Sequence, residues 1–177
     1  MYKLIQGPQS EPISLNEAKA WAKIEHSEDD SLITDLISDA RKYIEEFTNR
    51  SLFTQTWDLS LDDMPSVLSL DKTPLQSVTG IYYTDVEDSE WTESVDLYFV
   101  DYYNHRIIER QTGTYLGRNF ARDLAGWRVR FIAGETQYPS WSKPLTKRIV
   151  AHMYDNRDVL DSPEIVSEIL KYKVRHL

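Results

Sequence analysis

The segment at residues 149–158, IVAHMYDNRD, contains the side chains of this sequence best suited to chemistry. His152, Asp155 and Asp158 recur at three-residue steps, so on a helix they can share a face. Imidazole and carboxylate groups of this kind hold zinc or move protons in hydrolases. A metal site needs a further ligand, and no H-E-x-x-H motif or equivalent lies nearby. The pattern favours the polar end of a helix whose charges pair with neighbours; a metal-dependent hydrolase using His152 and Asp155 is the weaker alternative.

An acidic segment, TDVEDSE at residues 84–90, offers the oxygen ligands that calcium prefers. It lacks the D-x-[DN]-x-[DN]-G…E order of a loop that wraps the ion. We therefore expect the tip of a solvated hairpin rather than a calcium site.

Six arginines lie between residues 106 and 130 and suggest phosphate binding. On a strand, Arg128 and Arg130 share the face opposite Trp127, Val129 and Phe131. Residues 51–137 also carry fourteen carboxylates that would offset the arginines. Ion pairs inside this part of the chain, or across a subunit contact, are the favoured interpretation. The six are Arg106, Arg110, Arg118, Arg122, Arg128 and Arg130.

Several motifs of catalysis and cofactor binding are absent from the sequence. There is no G-x-S-x-G, no Walker loop and no G-x-G-x-x-G, and the four histidines stand apart from any nucleophile. The lack of cysteine excludes disulfides, thiolate zinc sites and cysteine nucleophiles. We predict no catalytic residues, no metal ligands and no cofactor: the protein is not an enzyme.

Composition and charge narrow the choice of partners. The 177 residues are 41% hydrophobic, which suits one domain or a core with an insertion. The net charge of −9 opposes tight capture of nucleic acid. No apolar run approaches the roughly 18 residues of a membrane span, and the N-terminus reads as an unprocessed cytosolic start. Residues 138–177, with seven basic and five acidic side chains, could dock on an acidic partner.

Helical patterns occupy both ends of the chain. Ser14 and Glu17 have the spacing of a capping box, and a longer helix from about Asp30 to Asn49 follows. Two more helices follow Pro144 and the segment DSPE at residues 161–164. The apolar faces predicted for the four helices comprise Leu15, Ala18, Trp21 and Ala22; Leu32, Ile33, Leu36, Ile37, Ala40, Tyr43, Ile44 and Phe47; Leu145, Ile149, Val150, Met153 and Tyr154; and Ile165, Val166, Ile169 and Leu170.

Between Leu52 and Gly134 the period changes to that of strands, and about six short β-rich runs alternate with turns. The predicted fold is α+β: a helical bundle made from the N- and C-terminal helices, with an inserted, mostly antiparallel β module. We assign residues 1–50 to the N-terminal helical part, 51–137 to the β module, and 138–177 to the C-terminal helices and a tail that contacts a partner.

Three blocks of sequence, in this order, resemble the head–tail connector family of tailed phages. The first is EPISLNEAKAWAKIEHSEDDSLITDLISDARKYIEEFTNRSLFTQTWDL; the second joins PLQSV to IYYTD; the third is VRFIAGETQYPSWSKPLTKRIVAHMYDNRDV. They cover most of residues 11–160. The subgroup that these blocks resemble carries a β insertion between the helices, is called phiE125 gp8-like, and is related to the gp6-like adaptors. The loop GETQYPSWSKP is longer than the form expected from the family.

The resemblance implies a virion structural protein that forms a ring, expected to be dodecameric, below the portal protein. The ring would extend the DNA channel and receive the tail or stopper protein, with DNA passing through without specific binding and no membrane involved. The expected location is the virion, with the host cytoplasm during assembly. Implied portal contacts are Lys171, Lys173 and Arg175; helix-end or intersubunit candidates are Tyr154, Asp155, Asn156, Arg157, Asp158, Arg128 and Arg130.

An alternative of another class stays open at this point. The arginine-rich β module and its aromatic side chains could serve as a stacking platform for single-stranded nucleic acid. Such a protein binds oligonucleotides in a salt-sensitive way, whereas a passive connector does not.

Overall fold

The computed structural model of the chain describes residues 1–110, 121–156 and 162–174. These residues form two compact units. The helical unit comprises Pro8–Phe53 and the described residues from Glu135 onward, and the β unit comprises Met1–Gly7 and the described residues of Thr54–Gly134. The α+β class predicted from the sequence is confirmed.

The helical unit contains four described helices that share one core. Its helices are α1 (Leu15–Ala22), α2 (Asp30–Thr48), α3 (Ser142–Asn156) and α4 (Pro163–Leu170). Helix α2 contacts each of the other three. Helices from both ends of the sequence therefore pack together, as the predicted bundle requires. The buried core is formed by Ile13, Ala18, Ile33, Ile37, Ala40, Ile44, Leu52, Leu145, Ile149, Val150, Ile165 and Ile169.

The first helix begins where the sequence indicates. The backbone N–H of Glu17 donates to Ser14 Oγ at 3.2 Å, and the Ser14 N–H donates to Glu17 Oε2 at 2.9 Å, which completes the capping box. Three side chains differ from the predicted apolar faces: Trp21 is 54% exposed, Leu32 is 42% exposed and Leu170 is 45% exposed. Leu32 stands one residue, about 100° of rotation, from the buried row that starts at Ile33.

The described residues of the β unit form two antiparallel sheets. The strands are β1 (Tyr2–Gln6), β2 (Gln55–Leu61), β3 (Val67–Ser69), β4 (Leu75–Thr84), β5 (Glu90–Glu93), β6 (Tyr98–Asp101), β7 (Arg106–Glu109) and β8 (Trp127–Ala133). One sheet has the order β1-β2-β8-β4-β5, and the other has the order β3-β7-β6. All pairs are antiparallel, as expected from the short connections.

Strand β8 shows how the sheet positions charge. Trp127, Val129 and Phe131 alternate into the core of the β unit, so Arg128 and Arg130 occupy the opposite face. The period of two residues in the sequence therefore fixes the direction of both arginines.

The predicted segment boundaries need one correction at the N-terminus. Residues 1–50 were assigned to the helical part, but Tyr2–Gln6 forms β1 and pairs with β2, with Tyr2 opposite Leu59. A five-residue edge strand such as YKLIQ has no periodicity strong enough to be seen without its partner. The chain also passes from one unit to the other at residues 53–54 and 134–135, and both points lie within three residues of the predicted boundaries 51 and 137.

Among the described helices, none combines the length and the apolar character that a membrane crossing requires.

Candidate functional site

The end of α3 carries the segment that raised the question of catalysis. The Tyr154 hydroxyl donates to Asp29 Oδ2 at 2.6 Å, and its ring packs against the helical core. Asp29 is the residue before the first turn of α2. Tyr154 therefore attaches the end of α3 to the turn between α1 and α2, which is a packing role inside the unit.

The two described residues that follow Tyr154 in this segment lie at the surface. Asp155 and Asn156 are exposed, and Asn156 Nδ2 donates to the His152 carbonyl at 2.9 Å, one helical turn back. The same nitrogen lies 3.2 Å from His152 Nδ1. In the described part of the chain, no group of three or more histidine and acidic side chains is arranged to hold a metal ion. Arg157 and Asp158 lie outside the described residues.

The segment that follows α4 carries two of the candidate portal contacts. The Tyr172 ring stacks on Trp141 with centroids 4.1 Å apart and planes 5° from parallel. Arg50 Nε donates to the Tyr172 carbonyl at 2.9 Å, and the Val174 N–H donates to the Thr48 carbonyl at 2.9 Å. These contacts hold residues 171–174 against the helical unit while Lys171 and Lys173 remain exposed. Arg175 lies outside the described residues.

Arg128 and Arg130 meet carboxylates on the polar face of the five-stranded sheet. Asp58 lies opposite Arg130 in register and accepts from its Nε at 2.7 Å and its Nη2 at 2.8 Å. Arg128 donates to Asp58 at 3.1 Å and to Glu90 at 2.5 Å. Hydrogen bonds from Arg130, and then from Arg128, hold the pKa of the Asp58 carboxyl below its usual range. The ion pairs expected within the β module are therefore present.

Tyr82 extends this arrangement. The Arg128 guanidinium carbon lies 4.2 Å from the centroid of the Tyr82 ring, in cation–π geometry. The ring reaches over Gly80, where an added Cβ would lie 2.4 Å from the Tyr82 hydroxyl. The Tyr82 ring thus covers the Arg128 guanidinium, and both guanidinium groups are paired with carboxylates. This makes the face a poor phosphate binder and weakens the nucleic-acid alternative.

The acidic segment at residues 84–90 connects β4 to β5. Asp85 Oδ1 accepts from the backbone N–H groups of Glu87 and Ser89, both at 2.9 Å, and Oδ2 accepts from Trp91 Nε1 at 2.7 Å. These hydrogen bonds, that of Trp91 foremost, lower the pKa of the Asp85 carboxyl. The carboxylate therefore closes its own hairpin turn.

A buried ion network in the helical unit was not predicted from the sequence. Arg41 Nη1 donates to Glu45 at 2.7 Å and Arg41 Nε donates to Glu11 at 2.8 Å. The second Glu45 oxygen accepts from the backbone N–H of Leu52 at 2.8 Å. The sequence does contain a signal for this ion pair, since Arg41 and Glu45 carry opposite charges four residues apart on one helix. Each of them directly follows a buried residue, Ala40 or Ile44.

A family model described as phage gp6-like head-tail connector protein matches residues 12–117, which is more than half of the chain. The chain belongs to this family. The connector is therefore a virion structural protein with a role in joining head and tail.

Solved structures agree with this assignment at the level of the fold. The connector is similar to a chain in "Virion of native gene transfer agent (GTA) particle", with a TM-score of 0.76 and 16% identity over 100% of this chain and 97% of that chain. Chains in "Neck of empty GTA particle computed with C6 symmetry" and "Neck of native GTA particle computed with C12 symmetry" align over the same shares, with TM-scores of 0.75 and 0.74 and identities of 16% and 17%. No curated protein matches the chain.

The family match covers only part of the connector's candidate residues. It includes Arg41, Glu45 and Asp58 but begins after Glu11 and ends before β8 and α3. The roles of Arg128, Arg130 and Tyr154 in the connector therefore depend on the geometry described above.

Proposed function

We propose that the connector assembles into a closed ring of twelve copies below the portal protein, extends the DNA channel and receives the tail or stopper protein. The family match carries this proposal. The likeness over the full chain to a chain from a neck solved with C12 symmetry supports it, because the whole fold is shared rather than one motif.

A passive role in DNA passage is consistent with the charges of the chain. The net charge of −9 repels phosphate, and Arg128 and Arg130 are already paired with Asp58 and Glu90. DNA would therefore pass through the ring without specific binding. We propose no catalytic step, no metal and no cofactor; the location is the virion, with the host cytoplasm during assembly.

The portal contact is proposed to lie on the segment after α4. Lys171 and Lys173 are exposed, while Tyr172 between them is fixed by Trp141 and Arg50. Two lysines held on a fixed backbone can reach an acidic partner with less loss of conformational entropy than lysines on a free tail. Arg175, which follows in the sequence, is a further candidate.

Contacts between copies are proposed to include the outward residues at the end of α3. Asp155 and Asn156 are exposed there, and Arg157 and Asp158 follow in the sequence. Tyr154 and Asp29 share a hydrogen bond inside the unit, so Tyr154 would act by fixing the helix end rather than by contacting a neighbour. Arg128 and Arg130 would contact a neighbouring copy only by exchanging an ion pair within their own copy for an ion pair with a carboxylate of that neighbour.

Deletion and complementation in a producing host test the connector function. Without the gene, we expect DNA-filled heads that lack tails, and the wild-type gene should restore joined particles. Normal tailed particles from the deletion strain would contradict the proposal.

Charge reversal tests the portal contact separately. The double variant Lys171→Glu/Lys173→Glu should fold but fail to restore joining. Lys42→Glu, which reverses an exposed lysine in α2, is the matched control and should restore it. Equal complementation by both variants would show that the two lysines are not part of the portal contact, and the proposed connector function would still stand.

A further inference from the structure

Three apolar side chains form a row across one face of the three-stranded sheet. Val67 on β3 lies opposite Ile108 on β7, and Ile108 lies opposite Phe99 on β6. Directly opposed side chains of antiparallel neighbours are about 5 Å apart, so the row is continuous. Val67 is 50% exposed, Phe99 is 53% exposed, and Ile108 is half-buried.

The core of the β unit does not need this row. The opposite face of the same sheet supplies the buried side chains, among them Leu68, Tyr98 and Ile107. On a sheet with one buried face, the outward face is expected to be polar. The next outward row meets that expectation, since it consists of Ser69, Arg106 and Asp101. The aligned row Val67–Ile108–Phe99 is therefore an exposed apolar patch, which indicates a contact surface far better than scattered apolar residues do.

We propose that this row is the centre of the contact between neighbouring copies of the connector, an inference that rests on the proposed ring. A closed ring of identical copies requires a head-to-tail contact, in which one patch of each copy meets a different patch of the next. The row supplies one of these two patches. A specific interface covers about 800 Å² on each partner, so the row is its water-free centre, with Phe99 as the aromatic anchor.

The proposed ring makes a second copy the occupant, and the charge of the chain sets how this contact depends on salt. Each copy carries a net charge of −9, so two copies repel one another at long range. Burial of apolar surface, at about 25 cal/mol per Å², has to offset that repulsion. Because salt screens the repulsion but leaves the apolar contact intact, association of copies should strengthen as salt rises. A partner recruited by opposite charge would show the reverse dependence.

Photo-crosslinking of the full-length chain tests the row directly. Phe99 is replaced by p-benzoylphenylalanine, which keeps an aromatic ring in place, and the purified protein is irradiated at low and high sodium chloride. Val86, an apolar residue of the β4–β5 hairpin that is 81% exposed, carries the probe in the matched control. We expect a product containing two copies of this chain from position 99, increasing with salt, and none from position 86.

A double variant, Val67→Thr/Phe99→Thr, tests whether the row drives assembly. Threonine retains the preference for strands, and the buried face of the sheet is unchanged, so far-UV circular dichroism should match that of the wild type. Sedimentation velocity should show loss of the salt-promoted self-association that we expect for the wild type.

Three outcomes would overturn the inference. They are a wild type that stays monomeric at every salt and protein concentration, a crosslink from position 99 to the portal or tail protein instead of a second copy, and a double variant that associates as the wild type does. If the double variant also restores joined particles in the deletion strain, the connector function stands and only this contact is lost. If the deletion strain makes tailed particles, the proposed function itself fails.

Discussion

Arg41 and Glu45 form an ion pair of 2.7 Å in which both side chains are at least nine-tenths buried. Arg41 also binds Glu11, which precedes α1, and Glu45 binds the N–H of Leu52, which follows α2. One pair of side chains thus fixes the two chain segments that flank the first two helices of the bundle.

Arg41→Ala should lower the free energy of unfolding by about 3 to 5 kcal/mol, because Glu45 would stay buried without its charge partner. Urea unfolding followed by circular dichroism measures the change. Lys42→Ala is the matched control, since Lys42 is exposed and its pair with Asp39 should contribute less than about 1 kcal/mol. A loss for Arg41→Ala no larger than that of the control would show that the network does not stabilise the bundle.

Tyr154→Phe removes the hydroxyl that donates to Asp29 while leaving the ring in the core. The free energy of unfolding should fall by about 1 to 2 kcal/mol, because the lost hydrogen bond has a charged acceptor, the Asp29 carboxylate. Asn156→Ala, which alters only a side chain bonded to its own helix, should change the same quantity by about 0.5 kcal/mol or less. Equal effects of the two substitutions would argue against a bond between α3 and the α1–α2 turn.

The pair of Asp58 and Arg130 makes stability depend on pH. The pKa of Asp58 is lower in the folded protein than in the unfolded chain, so its contribution is complete above the unfolded pKa of about 3.9 and is lost as the pH falls through the folded pKa. Asp58→Asn should cost about 2 kcal/mol at pH 7, since two guanidinium groups lose a charged acceptor. The difference from the wild type should shrink below about pH 4. A difference that does not vary with pH would contradict this account.

Titration of a labelled single-stranded oligonucleotide at low salt separates the connector from the nucleic-acid alternative. We expect no saturable change in anisotropy, because Arg128 and Arg130 are held by Asp58 and Glu90 and the chain is acidic. Binding that weakens steeply with salt, and that Arg128→Ala abolishes, would favour the alternative.

Much of the fold was predictable because local signals agreed with the packing. The capping box of Ser14 and Glu17 marked the start of α1, and the alternation around Arg128 and Arg130 marked the faces of β8. The fourteen carboxylates of residues 51–137 indicated ion pairs for the arginines, either inside the β module or across a subunit contact. The partners themselves required the register of the strands, because Asp58 and Glu90 are 70 and 38 residues from Arg128 in the chain.

The parts that sequence reasoning missed depend on partners distant in the chain. Strand β1 is recognisable only through its pairing with β2. The inward direction of the Tyr154 hydroxyl is recognisable only through its hydrogen bond to Asp29, which is 125 residues away in the chain. The apolar row of Val67, Ile108 and Phe99 comes from three short strands, in each of which a single outward apolar residue carries no signal.

Cryo-electron microscopy of the purified protein mixed with portal particles tests the central claim most directly. The account predicts an added ring below each portal, with one copy of the α+β fold in each repeat, the segment after α4 directed to the portal, and the Val67–Ile108–Phe99 row facing the neighbouring copy. Portals that remain bare, or density for the chain as scattered single copies bound elsewhere on the particle, would contradict it.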